Sequence, residues 1–223
     1  MTFNQYIDHT LLKPTTTISD ITTLCNEAKF HKFFSVCVNS CYVKQAKFQL
    51  KDSTVKICSV VGFPLGAAST EAKVTEAKQA VKDGADEIDM VINIGALKSK
   101  AFDTVCKDIE TVKKAIPNTL LKVILETCYL DEKEIIKASE LVVNSGADFI
   151  KTSTGFGTDG ATVNAIKLMK SVTKNTIVKI KASGGIRDNK TALKYINLGV
   201  DRIGTSSGIA IVTGSNTKSG NSY

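Results

Sequence analysis

The 223 residues, 43% of them hydrophobic, are a common length for one α/β domain and ample for a large core. No apolar run approaches the roughly 20 residues that cross a bilayer, and Met1-Thr2-Phe3-Asn4-Gln5-Tyr6 is no basic, apolar leader, so a cytoplasmic protein without a membrane partner is expected. The formal charge of +7 points to anionic partners, but only Arg187 and Arg202 among 29 basic residues are Arg, and the lysines are spread over the chain, which argues against a nucleic-acid face.

Apolar, β-branched runs recur along the chain at residues 7–12, 34–38, 55–61, 87–92, 120–125, 149–153, 177–182 and 202–205. Amphipathic stretches of helical length lie between them, among them 70–82, 101–115, 132–143 and 162–172. Thr70 with Lys73 makes no capping box, whereas Asp131 with Glu134 has the N-cap pattern. Gly84-Ala85-Asp86 and Gly146-Ala147-Asp148 repeat, and Gly199-Val200-Asp201 resembles them. Each precedes a strand run, which suits a helix ending at Gly and a turn into the next strand. Strands this apolar, alternating with helices, read as a parallel sheet. Eight of them in one domain suggest a closed (β/α)8 TIM barrel over residues 1–212, with a doubly wound open sheet as the alternative. Residues 213–223 form a polar, Gly/Ser-rich tail, expected to be mobile, whose final Tyr223 either docks or stays idle.

Barrel enzymes place their chemistry at the C-terminal ends of the strands. That rule gathers Asp89, Lys122, Lys151, Lys181, Ser206 and Ser207. Alternation along a strand puts Lys179 and Lys181 on one face and Asp89 on the face of Glu87 and Val91. A lysine in apolar surroundings tends toward the neutral amine, a nucleophile that forms a Schiff base with a carbonyl. A lone strand lysine is ordinarily a surface or edge residue, and Lys151 with Asp89 also reads as a structural ion pair. Both lysines, however, are followed by small-residue loops, Thr152-Ser153-Thr154-Gly155 and Ser183-Gly184-Gly185. With Gly204-Thr205-Ser206-Ser207-Gly208, these loops suit a phosphate. The six cysteines form no Cys-x-x-Cys pair and read as free thiols of a reducing compartment. Cys37 and Cys41 have ligand spacing alone, and His9 and His31 sit in no metal motif, so no metal is expected.

The segments Asp8-His9-Thr10, Ser35-Val36-Cys37-Val38-Asn39, Gly62-Phe63-Pro64-Leu65-Gly66, Gly84-Ala85-Asp86-Glu87-Ile88-Asp89, Leu121-Lys122-Val123-Ile124-Leu125-Glu126-Thr127, Lys151-Thr152-Ser153-Thr154-Gly155 and Lys181-Ala182-Ser183-Gly184-Gly185 run in one order along most of the chain. In this the sequence resembles the deoxyribose-phosphate aldolases, a class I aldolase family. The resemblance implies a (β/α)8 barrel that reversibly cleaves 2-deoxy-D-ribose 5-phosphate to D-glyceraldehyde 3-phosphate and acetaldehyde, without a cofactor. It assigns the Schiff base to Lys151, a pKa-perturbing and proton-moving role to Lys181, and proton exchange to Asp89, with Asp8 and Lys122 completing the network. It places the substrate phosphate on Gly155, Gly184, Gly185, Ser206 and Ser207. Such barrels often pair, so a homodimer or larger homo-oligomer is expected. Two rivals are a phosphate-binding barrel isomerase or lyase of sugar or indole metabolism, which needs no lysine pair, and a Lys-rich nucleic-acid binder, whose affinity would fall steeply with salt.

Overall fold

Alternation of side chains along each strand decides how this chain folds, because the outward faces are mostly apolar and the charged residues gather on the inward ones. In a computed structural model that describes residues 2–214, eight parallel strands close into a barrel in sequence order. They are β1 (Ile7–Leu11), β2 (Ser35–Val38), β3 (Lys56–Val61), β4 (Glu87–Val91), β5 (Leu120–Ile124), β6 (Phe149–Lys151), β7 (Lys179–Ser183) and β8 (Arg202–Thr205). The helices are α1 (Ile18–Phe30), α2 (Val43–Gln49), α3 (Thr70–Asp83), α4 (Ile94–Lys98), α5 (Phe102–Ala115), α6 (Glu132–Asn144), α7 (Val163–Thr173), α8 (Asn189–Asn197) and α9 (Gly208–Thr213). None of the described helices is long and apolar enough to cross a membrane. Closure, rather than an open doubly wound sheet, is fixed by β1 pairing with both β2 and β8.

The outward face carries Ile7, Val36, Ile57, Ile88, Leu121, Ile150, Ile180 and Ile203, which join the helices in one apolar core. Fully burying one such side chain is worth about 1.5–3 kcal/mol. The inward face carries Asp8, Ser35, Cys58, Asp89, Lys122, Lys151 and Lys181, all buried. Its apolar content includes a small separate cluster of Leu12, Cys37, Cys58 and Val60, with half-buried Phe63 packed on it.

The repeated Gly-x-Asp turn does more than end a helix. Gly84, Gly146 and Gly199 take positive φ of 114°, 75° and 87°. The aspartate that follows accepts the first free N–H of the preceding strand: Asp86 from Ile57 at 2.9 Å, Asp148 from Leu121 at 2.8 Å, Asp201 from Ile180 at 3.0 Å. Three of the β-strand pairs are thereby tied at their N-terminal ends. The Asp131–Glu134 pattern forms a reciprocal capping box on α6. On α3 the cap is Ser69, whose hydroxyl accepts from Ala72 N–H.

Three local expectations differ. The run 149–153 is a strand only to Lys151, because Thr152 turns its hydroxyl to Ser183, donating to its carbonyl and accepting its N–H, both at 3.0 Å. The run 177–182 enters the sheet only at Lys179 and continues to Ser183, since Thr176 forms a turn that accepts from Val178 N–H and leaves Ile177 95% exposed. Between β4 and α5 lies the short α4, opened by Asn93, which accepts from Ala96 N–H. Tyr223 lies outside the described residues.

Candidate active site

Strand parity and a closed barrel bring the inward residues of five strands onto one axis, where they form a ring of alternating charge. Asp89 on β4 accepts from Lys122 on β5 through Oδ1 at 2.9 Å and from Lys181 on β7 through Oδ2 at 2.8 Å. Lys181 reaches Asp8 on β1 at 2.5 Å. Arg202 on β8 bridges Asp8 and Glu87, the latter at 2.7 Å, and Glu87 meets Lys122 at 2.6 Å. Three carboxylates and three cations close the circuit with no net charge. Lys151 on β6 is attached to it from outside, donating to Asp89 Oδ2 at 2.8 Å. Every one of these side chains is almost fully buried.

Burial penalises each charge, and the neighbouring charges outweigh it. Burial would raise Asp89, but Lys122, Lys151 and Lys181 hold its carboxyl well below the usual range. Asp8 is lowered in the same way, by Arg202 first and then Lys181. Burial would lower Lys181, yet Asp8 and Asp89 raise it well above an ordinary lysine, and Asp89 and Glu87 are among the groups that raise Lys122. Burial alone would favour the neutral amine, but the carboxylates outweigh it for Lys122 and Lys181 and favour the ammonium form. Their surroundings are carboxylates and not the apolar residues that flank them in sequence.

The three small-residue loops follow β6, β7 and β8 and lie side by side. Thr152 joins the first to Ser183 of the second, and Ser183 Oγ donates to the Ser153 carbonyl at 2.5 Å. Thr205 Oγ1 donates to the Ile186 carbonyl and accepts from Ser207 N–H, which joins the second to the third. Gly155, Gly184 and Gly185 all take positive φ, of 89°, 84° and 74°. Gly184 also has to be glycine because a Cβ there would stand 2.8 Å from Gly160 Cα. The Ser153 hydroxyl is buried and has no hydrogen-bond partner among the described residues, and Ser206 is exposed. All ten residues named from the sequence thus gather at one end and along the axis of one barrel.

Other residues of the site carried no plain signal. Arg202 and Glu87 close the ring from the N-terminal half of their strands, away from the rim where barrel sites are sought. The one clue to Arg202 was that it is an arginine, rare in this chain, with inward parity in the last strand. Glu126 was visible only as part of a motif. It takes φ 56° at the end of β5, and its buried carboxylate accepts Thr154 N–H at 3.2 Å and the Thr154 hydroxyl. Burial raises its pKa while Thr154 opposes the rise. Glu126 thereby braces the loop that begins with Lys151. Cys37 and Cys41, linked only by spacing, part company: Cys37 is inside the barrel and Cys41 is exposed. His9 faces outward and bonds Glu27 at 2.8 Å.

Comparison with known proteins gives this site a context. A family model described as DeoC/LacD family aldolase matches residues 2–214. The chain is similar to the deoxyribose-phosphate aldolase of Brevibacillus brevis, 55% identical over 217 residues that cover 97% of this chain and 98% of that one. It is similar to the enzyme of the same name from Finegoldia magna, 56% identical over 214 residues covering 96% and 100%. Its structure resembles that of the tetrameric deoxyribose phosphate aldolase of Aeropyrum pernix with a TM-score of 0.88, at 34% identity and covering 95% of this chain and 89% of the other.

Proposed function

We propose, since the chain belongs to the DeoC/LacD family of aldolases, that the charged ring and its attached lysine are the catalytic apparatus of a retro-aldol reaction. The enzyme is a class I aldolase that reversibly splits 2-deoxy-D-ribose 5-phosphate into D-glyceraldehyde 3-phosphate and acetaldehyde, in deoxyribonucleoside catabolism. The observation that carries the assignment of Lys151 is that the ring is neutral without it. Lys151 is the fourth cation against three carboxylates, so it can pass a proton on and attack a carbonyl while the other charges stay matched. Lys181 and Lys122 lack that freedom, each lying between two carboxylates.

In this reading Lys151 Nζ adds to the sugar aldehyde and water leaves, giving an iminium. The hydroxyl on the third carbon loses its proton to Asp89 through water, and the bond between the second and third carbons breaks. Its electron pair passes into the iminium as an enamine, and the aldehyde carrying the phosphate departs. The enamine carbon then takes a proton back, and hydrolysis frees acetaldehyde and Lys151. Asp89, held ionised by the ammonium groups of Lys122 and Lys181 and the cationic nitrogen of Lys151, accepts first and donates later. Lys181, held protonated between Asp8 and Asp89, keeps a positive charge beside Lys151 and helps move that proton by orienting Asp89. Asp8 and Lys122 hold these two in place. The iminium is itself the electron sink, so the scheme uses no metal or cofactor.

The phosphate is placed on Gly155, Gly184, Gly185, Ser206 and Ser207. The positive φ of the glycines and the unmatched Ser153 hydroxyl support this. The domain division proposed is a barrel of residues 1–212 and a tail of residues 213–223. A cytoplasmic location is supported by six cysteines that form no disulfide. A homodimer or larger homo-oligomer is supported by exposed Phe30 and Phe48, 82% and 73% accessible, on α1 and α2, whose ends are joined by Lys29 donating to the Gln49 carbonyl. Light scattering that finds a monomer at micromolar concentration would remove that part.

The test is release of acetaldehyde from 2-deoxy-D-ribose 5-phosphate, read by coupled reduction, in the native enzyme and in Lys151→Ala. The variant is expected to fold and to keep under about 1% of the rate, since acid–base help alone is worth about 10²–10⁴. A folded variant with more activity than that refutes the assignment.

A further inference from the structure

Two thiols on the barrel axis take no part in the chemistry above. Cys37 on β2 and Cys58 on β3 are register partners, both turned inward and both buried. Their sulfurs and an Asp89 carboxylate oxygen all lie within 4.8 Å of one another. We propose that Cys37, Cys58 and Asp89 form an inhibitory site for a thiophilic divalent cation, Zn²⁺ or Cd²⁺, with a fourth position left for water.

The donor set suits such an ion. Two thiolates and a carboxylate are ligands of Zn²⁺, at about 2.3 Å for sulfur and 2.0–2.2 Å for oxygen. A tetrahedral centre of those dimensions sets its ligands about 3.6–3.8 Å apart, so the two sulfurs need to draw together by about 1 Å at most, while Cys58 Sγ and Asp89 Oδ1, now 3.1 Å apart, open by about 0.5 Å. The two oxygens of Asp89 are already divided between two neighbourhoods. Oδ2 serves Lys151 and Lys181, while Oδ1 serves Lys122 and accepts from Cys58 Sγ at 3.1 Å. An ion held by Oδ1 and Cys58 Sγ displaces the Cys58 proton and two Lys122 contacts, to Oδ1 at 2.9 Å and to Cys58 Sγ at 3.4 Å, and Lys122 keeps Glu87 at 2.6 Å.

The charge balance holds. The cation enters, both thiols give their protons to solvent, and the interior gains no net charge. No electron is transferred. Entry is from the rim, where half-buried Phe63 packs on the cluster that holds Cys37 and Cys58. The consequence rests on the catalytic reading: an Asp89 tied to a metal no longer exchanges protons with substrate, so the bound enzyme is inactive.

The experiment is a titration of the intact enzyme with Cd²⁺, following the ultraviolet thiolate-to-cadmium charge-transfer band, with activity measured in the same samples. One equivalent is expected to bring up the band and abolish activity, and EDTA to reverse both. Cys37→Ser and Cys58→Ala are each expected to weaken binding more than about 100-fold, beyond the 10–100-fold usual for losing an outer partner of a metal. Cys41→Ser and Cys128→Ser are expected to retain the band. Should either barrel variant fail to fold, an anomalous-scattering peak between Cys37, Cys58 and Asp89 in cadmium-soaked crystals of the native enzyme supports the site, and a soaked crystal without it overturns the site. A titration with no band at one equivalent, or a band that survives loss of Cys58, also overturns it. A band with full activity leaves the metal site standing and overturns the proton role given to Asp89.

Discussion

Asp89 is the residue on which the site turns, because one carboxylate answers three ammonium groups and a thiol. Its place was legible in the sequence, as were those of Lys151 and Lys181, since side-chain parity and the end-of-strand rule both apply to them. Arg202 was not legible as a site residue, because it lies at the opposite end of its strand, where conserving the fold and not chemistry is the usual reason for a polar residue. Yet it bridges Asp8 and Glu87 directly, stacked 3.3 Å from the Phe34 ring centroid. Arg202→Met leaves buried Asp8 and Glu87 with one cation each, Lys181 and Lys122, where each had two. Breaking a buried ion pair in this way costs about 3–5 kcal/mol, and urea denaturation is expected to register a loss of that order. A loss below about 1 kcal/mol, the level of an exposed pair, would mean the ring is not a unit.

At the scale of elements, the eight strands and the main helices were legible from apolar runs and turn signals, and most boundaries fell within two residues. What sequence did not carry was how loops meet. The link from Thr152 to Ser183 and the crossing of Gly160 over Gly184 join segments about thirty and twenty-four residues apart, and nothing local marks either contact. The crossing yields a prediction. Gly184→Ala adds a Cβ 2.8 Å from Gly160 Cα at a φ of 84°, which a side chain adopts only with strain. The loops after β6 and β7 must separate, while Lys151 and Asp89 sit deeper on the strands. Steady-state kinetics is expected to show KM for the phosphorylated sugar raised at least about tenfold, the equivalent of about 1.4 kcal/mol of lost binding, with a smaller change in kcat. Unchanged KM would remove the loop after β7 from the phosphate site.

For the whole molecule, barrel closure was an inference from counting strands, and the charged interior follows from closure: it exists only once β1 has met β8. That interior sets the pH range of the fold. Asp8 and Asp89 are lowered in the folded state, so the unfolded chain binds their protons first as pH falls. Their stabilisation is complete above the ordinary Asp value of about 3.9 and is lost progressively as pH drops below it toward the folded values. Lys122 and Lys181 are raised, so their stabilisation is complete below the ordinary lysine value of about 10.4 and is lost as pH climbs through the raised folded values. Denaturation midpoints are expected to stay level with respect to these four groups from about pH 5 to pH 9, with losses outside. Asp89→Asn, which deletes the central carboxylate, is expected to lower the midpoint throughout and flatten the acid limb. An unchanged acid limb would mean that other carboxylates control it.

The central claim is that Lys151 is the amine that becomes the imine, and mass spectrometry after borohydride reduction tests it most directly. Native enzyme is incubated with acetaldehyde, reduced, digested and mapped. A single ethyl group on Lys151 is the predicted result. An ethyl group on Lys181, or a folded enzyme that carries none, would contradict it.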